Sequence, residues 1–322
     1  MKQPEAIEIR PACCCYLCGK EGIIKYSNLS DRMFGVPGLW NFRQCQDENC
    51  GLLWLDPMPT EKGMLNTYPK YYTHGLKRPS TFRVKIMDSI KYILGVDSMV
   101  KRVAKLRLPN KSAHSVLDVG CGSGALLDYL KQKGWSVAGT EIDAAAIKIA
   151  KDQYGLDIKN GELIKLHLPG NAYDLIIMHH VLEHVHDPIS FLAECYRLLK
   201  PGGDLIIVTP NYDSWASHFF AKEWFCLEPP RHLYLFSPNN LLKCVNKAGF
   251  IESHVWTDNL DSLVYMVSSL DIKRTGRHLA GGKRAIRDLA TGLIIKMVAG
   301  LWFFFNPNSG EELLLKAVKN YD

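Results

Sequence analysis

The segment Asp118-Val119-Gly120-Cys121-Gly122-Ser123-Gly124 constrains this chain more than any other. It joins an apolar, β-branched run (115–120, read as a strand) to an amphipathic stretch (125–133, read as a helix). Glycines at a strand–loop–helix turn let a ligand approach the backbone and the helix N-terminus, where side chains would obstruct it. The triplet alone also fits a nicotinamide dinucleotide, and turn glycines with no ligand are the plain alternative. Asp118 separates these cases. A carboxylate at the strand end suits an ammonium or hydroxyls and repels a pyrophosphate. Glu141 closes the next strand, placed to accept hydrogen bonds from two ribose hydroxyls.

The alternation continues downstream. Strands are predicted over 136–142, 173–180, 205–209, 250–257 and 312–319. Helices are predicted over 144–153 behind Asp143, over 189–199 with a stop at Pro201-Gly202-Gly203, and over 238–248 closed by Gly249. Such alternation predicts an α/β fold with a parallel sheet. Residues 1–60 form a cysteine-rich segment. Residues 61–110 form a helical linker or cover, tyrosine-rich at first (Tyr68, Tyr71, Tyr72) and then with Val84, Met87, Ile90, Ile93 and Leu94 at helix spacing. The main domain occupies 111–322. Within it, 212–236 is read as a substrate lid and 259–309 as a helical insertion before the last strand.

Composition narrows the partners. A net charge of +6 spread over 322 residues, with no long basic run, gives no footprint for nucleic acid. The amino terminus lacks an apolar stretch behind a basic end, so a cytoplasmic protein is expected, where clustered thiols bind metal more often than they form disulfides. Cys15-Tyr16-Leu17-Cys18-Gly19 and Cys45 with Cys50-Gly51 supply two thiol pairs. A Cys-x2-Cys turn aims two thiolates at one tetrahedral ion, and a second pair completes the ligand set of a structural zinc. The four residues between Cys45 and Cys50 weaken the second pair, Cys13 and Cys14 are alternative ligands, and free thiols are the competing reading.

Residues 115–208 resemble a class I S-adenosylmethionine-dependent methyltransferase. The likeness rests on 118–124, Glu141-Ile142-Asp143, Tyr173-Asp174-Leu175-Ile176 and Arg197-Leu198-Leu199-Lys200-Pro201-Gly202-Gly203. Narrower matches are His180-Val181-Leu182-Glu183-His184-Val185-His186-Asp187-Pro188, Thr209-Pro210-Asn211 and Pro230-Arg231-His232-Leu233. With the cysteine segment, they resemble a bacterial subgroup that carries a zinc-ribbon-like front end and is often linked to sugar or glycan modification. The resemblance implies a Rossmann-like fold with a seven-stranded, mostly parallel sheet and helices on both faces. It also implies S-adenosylmethionine as methyl donor, bound through Asp118, Gly120, Cys121, Gly122, Gly124, Glu141, Ile142, Gly161, Glu162 and His179.

Methyl transfer needs an acceptor held opposite the leaving sulfur and, for most acceptors, a base. The candidates follow the strands read at 173–180 and 205–209: His180, Glu183 and His184, then Arg231 and His232. His184 or His232 is read as general base, Glu183 as orienting a histidine and Arg231 as holding an anionic group. His179 and His180, adjacent on a strand, are expected to face opposite ways. Asp187 and Pro188 are expected to start the next helix. The acceptor is read as a sugar or another small glycan precursor; an S-adenosylmethionine-binding zinc module without turnover, acting as regulator or assembly partner, is the alternative. Residues 283–305 join basic residues (Arg274 and Arg277 before it, then Lys283, Arg284 and Arg287) to an apolar stretch. That pattern fits contact with the inner face of a membrane, burial against the sheet, or a homodimer.

Overall fold

A computed structural model describes residues 7–68, 102, 114–278 and 286–321. The helical run from Val84 to Leu94, together with Tyr71, Tyr72, Lys283, Arg284 and the Arg287 side chain, lies outside the described residues. In chain order the strands and helices are β1 (Ile9–Arg10), β2 (Gly22–Leu29), β3 (Trp40–Cys45), β4 (Leu53–Asp56), β5 (Met58–Pro59) and α1 (Glu61–Leu65). After them come β6 (Ser115–Val119), α2 (Ala125–Gln132), β7 (Ser136–Glu141), α3 (Ala144–Tyr154), β8 (Lys159–Asn160) and β9 (Tyr173–His179). Then follow α4 (Pro188–Leu198), β10 (Leu199–Pro210), α5 (Trp215–Phe220), β11 (Tyr234–Leu235) and α6 (Pro238–Lys247). The chain continues through β12 (Glu252–Asp258), α7 (Ser262–Thr275), α8 (Ile286–Phe305) and β13 (Glu312–Val318).

The main sheet has seven strands in the order β12-β13-β10-β9-β6-β7-β8. Only β13 runs against its neighbours. Its central strands read as unbroken apolar runs because both faces are covered. Leu117, Ile176, Leu205 and Ile207 point to one face, under Leu192, Cys195 and Leu241 of α4 and α6. Val116, Leu175, Ile177 and Ile206 point to the other, under Leu126, Leu127, Leu130 and Ala150 of α2 and α3. Local signals set the helix ends: Asp143 accepts from Ala145 N at 2.9 Å, Gly155 ends α3 in the left-handed region, and Ser237 with Asn240 forms a capping box on α6. This is the α/β fold with a parallel sheet expected from the strand–helix alternation, with the seven-stranded, mostly parallel Rossmann-like sheet that the resemblance implies.

Two expectations change. The stop at Pro201-Gly202-Gly203 takes another form: α4 ends at Leu198 and the chain runs directly into β10. The register against β9 shifts between Leu199 and Asp204, and Gly202 absorbs the irregularity at φ 73°. The lid expected over 212–236 is a packed connection. Phe220, Trp224, Leu227, Leu233 and Phe236 are buried, and β11 pairs with β4 to extend the amino-terminal sheet, β11-β4-β3-β2. These apolar side chains leave water only by folding onto that sheet, so one core contains Leu53, Leu55 and Leu235 together with Leu117 and Ile176.

Candidate active site

The glycine loop leaves β6 with Gly120, Gly122 and Gly124 all at positive φ. A Cβ on Gly120 would lie 2.6 Å from Val181 Cγ2, and one on Gly124 would lie 2.8 Å from Leu156 Cδ1, so both sites exclude a side chain on two grounds. A Cβ on Gly122 would meet nothing within 4 Å, which leaves that face of the loop open to a ligand. Cys121 is half-buried, and Gly139 on β7 makes room for its sulfur. Burial pushes the Cys121 thiol up, out of the range where it ionises at neutral pH.

Glu141 binds its surroundings with both oxygens. Oε2 accepts from Gly122 N at 2.9 Å, and Oε1 accepts from Ile142 N at 2.7 Å and Asp143 N at 2.9 Å. The ribose acceptor expected from the sequence is therefore held in place by the same loop it would serve. Asp118 differs: it is buried, and no donor among the described residues reaches its carboxylate. Burial, with the nearby charge of Glu141, raises its pKa to about 8. A buried acid left unpaired by the protein fits a ligand that brings its own ammonium or hydroxyl. Gly161 and Asn160 fold back on Glu141, donating to its carbonyl at 3.0 and 3.2 Å, and Ile142 stays exposed at this edge. Glu162 forms an ion pair with Lys165 at 2.9 Å.

The histidines divide into two groups. His180 takes a left-handed backbone (φ 55°), so its ring does not alternate away from that of His179. The two ring centroids lie 4.3 Å apart, which corrects the expected opposite facing. His180 Nδ1 meets Glu183 Oε1 and Nε2 meets Glu312 Oε1, each at 3.0 Å. Tyr265 donates to Glu312 Oε1 at 2.8 Å, and Thr209 donates to Glu183 Oε2 at 3.0 Å. Arg102 closes the network, paired with Glu312, Asp258 and Asp261. Against the penalty of burial, hydrogen bonds to Glu183 and Glu312 raise the His180 pKa to about 10, and Glu183 falls to about 2. Both ring nitrogens of His180 are thus engaged by carboxylates, and Glu183 orients the ring.

His184 and His232 form the second group, their rings edge-to-face at 4.7 Å. His184 Nδ1 lies 3.0 Å from the Arg231 carbonyl and 3.2 Å from the Tyr68 hydroxyl; a carbonyl can only accept, so Nδ1 donates there and the Nε2 lone pair stays free of that bond. Burial and the neighbouring His232 lower its pKa to about 4, which keeps it neutral. His232 is buried with Nδ1 2.7 Å from the Cys226 carbonyl. His179, at the end of β9, is half-buried, and burial lowers its pKa to about 4.

Arg231 does not hold an anionic ligand. Its guanidinium binds Asp31 through Nη1 at 2.9 Å and Nη2 at 2.7 Å, and Glu228 through Nε at 2.8 Å. It is fully buried beneath Phe34, whose ring centroid lies 4.6 Å away. Asp187 caps α4, accepting from Ser190 N at 3.0 Å, with Pro188 in the first turn as expected. Glu312, Tyr265, Arg102 and Asp31 are the partners that the sequence reading missed. Each is brought in from a distant segment, with no motif around it.

The cysteines of 1–60 close on one point. Cys15 Sγ lies 3.6 Å from Cys50 Sγ, Cys18 Sγ lies 3.4 Å from Cys45 Sγ, and all four sulfurs lie within 4.8 Å of one another. Four thiolates at about 2.3 Å from a tetrahedral zinc stand roughly 3.8 Å apart, so this set fits such an ion. The longer Cys45–Cys50 interval is taken up by a turn in which Cys50 N and Gly51 N both donate to Asp47 O. Gly19 and Gly51 then occupy equivalent left-handed positions behind the two pairs. Cys13 and Cys14 stand exposed and outside the cluster.

Residues 95–251 match a family model described as a methyltransferase domain. A Mycolicibacterium smegmatis protein named "Probable S-adenosylmethionine-dependent methyltransferase" is 36% identical over 33% of this chain and 42% of its own length. The ubiquinone biosynthesis O-methyltransferase of Cereibacter sphaeroides is 34% identical over 42% of this chain and 59% of its own length. The chain thus spans about half the length of the curated relatives it matches. A crystal structure of a SAM-dependent methyltransferase from Archaeoglobus fulgidus aligns at 19% identity with a TM-score of 0.48, over 70% of this chain and 94% of that one.

Proposed function

We propose that the chain is a class I S-adenosylmethionine-dependent methyltransferase, in line with the methyltransferase-domain match over residues 95–251, and that it methylates a small acceptor, a sugar or a lipid- or nucleotide-linked glycan precursor. The observation that carries this reading is Asp118, a buried carboxylate under an open glycine loop with no hydrogen-bond partner among the described residues. S-adenosylmethionine supplies the methyl group when bound, and its ammonium meets the need of Asp118 for a donor. Glu141 takes the ribose. His184 removes the acceptor's proton at Nε2, because Nδ1 is tied to the Arg231 carbonyl and the ring is neutral. His232 packs on that ring and fixes its plane.

Cys15, Cys18, Cys45 and Cys50 are read as a structural zinc site. Four thiolates leave no open position for chemistry, and a sheet this small draws stability from metal. A second reading, cofactor binding without turnover, is favoured by one observation: His180 and Glu183 are engaged with each other at 3.0 Å, which removes two of the candidate groups from the chemistry.

The deciding experiment incubates purified protein with methyl-labelled S-adenosylmethionine and a panel of free, nucleotide-linked and lipid-linked sugars. Transferred label that is lost in His184→Asn supports the enzyme. Tight binding with no transfer across the panel supports the second reading.

A further inference from the structure

We propose that α8 and the basic cleft beside it form a docking face for an anionic lipid bilayer surface. On α8, Ile294, Met297, Leu301, Trp302, Phe304 and Phe305 are 53% to 80% exposed. At 3.6 residues per turn these six cover an arc of about 160°. Lys296, the one charged residue between Ile294 and Phe305, falls outside that arc. The inner side is already occupied, with Ala299 buried and Gly292 so close to α7 that a Cβ there would lie 2.5 Å from Val267. The exposed residues are therefore left uncovered by the described residues.

A second observation gives the charge of the partner. An open cleft of about 510 Å³ is lined by Arg32, Lys222 and Lys273, with Glu223 its one carboxylate among the described residues. Lys273 Nζ sits 5.9 Å from the ring centroid of Phe219, which is half exposed and stacks on Trp215 at 4.6 Å. These aromatics belong to α5, which packs against both α8 and α7, the helix that carries Lys273. A second copy of the helix would cover a stripe of roughly 100°, narrower than the arc and without use for the cations. A bilayer surface takes the whole face, with aromatics in the acyl boundary and lysines among the phosphates. Among the described residues no helix is long and apolar enough to cross a membrane, so α8 would lie in the surface. The inference stands apart from the methyl-transfer reading, since vesicle binding needs no turnover.

The test is sedimentation of the full chain with phosphatidylcholine vesicles with and without phosphatidylglycerol, and light scattering for mass without lipid. Wild type is expected to pellet only with the anionic vesicles. Leu301→Glu/Phe305→Glu and, separately, Lys222→Glu/Lys273→Glu should each lower binding by about tenfold or more with the thermal melt retained. The charge-reversal pair keeps the test decisive if the helix variant misfolds. Wild type that ignores anionic vesicles, or binding unchanged in the charge-reversal pair, overturns the proposal. So does a wild-type dimer that Leu301→Glu/Phe305→Glu dissociates.

Discussion

Asp31 and Arg231 form a two-bond ion pair at 2.7 and 2.9 Å across 200 residues of sequence, with both side chains withdrawn from water. Hydrogen bonding to Arg231 overcomes burial and holds Asp31 below the usual carboxylate range. Removing one member strands the other charge, a loss of about 3–5 kcal/mol. Asp31→Asn and Arg231→Gln should each lower stability in urea by that order, and the double variant should lose less than the sum. Single variants as stable as wild type would remove the pair from the list of struts.

Asp118 should make ligand binding release a proton. Its folded pKa, about 8, stands above the ordinary 3.8, so the ligand-free protein keeps a neutral acid that the unfolded chain ionises. That contribution to stability is complete below pH 3.8 and is lost as pH rises to 8. Asp118→Asn should flatten this part of the stability curve and weaken S-adenosylmethionine binding. Calorimetry in buffers of different ionisation heat should show proton release near pH 7 in wild type and none in the variant.

The two histidine groups predict opposite phenotypes. His180, raised to about 10, stabilises fully below pH 6.5 and loses that contribution as pH passes 10. Glu183, lowered to about 2, stabilises fully above pH 4.5 and loses it as pH falls through 2. His180→Asn should therefore cost stability most between those limits, read by denaturant titration across pH. His184→Asn should leave the melt and cofactor affinity near wild type and lower kcat by about 10²–10⁴.

Metal analysis should find one zinc per chain. Cys18→Ser or Cys50→Ser should abolish it and expose tryptophan, since Trp40 and Trp54 are buried in the adjoining sheet. Cys13→Ser and Cys14→Ser should retain the metal, because neither sulfur joins the cluster.

Much of the main sheet was legible in the sequence because each strand and helix carries its own signal, an apolar run or a cap. The glycine loop was legible for the same reason, with Asp118, Gly120 and Glu141 all within one β-loop-α-β stretch. What the sequence hid is long-range. Nothing near Glu312 marks it as the partner of His180, and nothing near Asp31 marks it as the partner of Arg231. Alternation misled at His179 and His180 because it assumes a regular strand, whereas the left-handed residue at 180 turns the second ring back. The lid reading failed similarly: aromatic spacing over 212–236 cannot reveal that β4 waits to pair with β11.

That pairing bears on how such a chain can be assembled and exchanged. Tyr234 and Leu235 complete a sheet begun at residue 22, and Tyr16, set between two of the clustered cysteines, accepts from Ile189 N at 3.1 Å at the start of α4. The front end and the domain behind it are one heritable unit. A recombination breakpoint near residue 60 would take three strands of that sheet from one parent and β11 from the other, so the cysteine segment is a poor cassette for transplantation despite its compact appearance in the sequence.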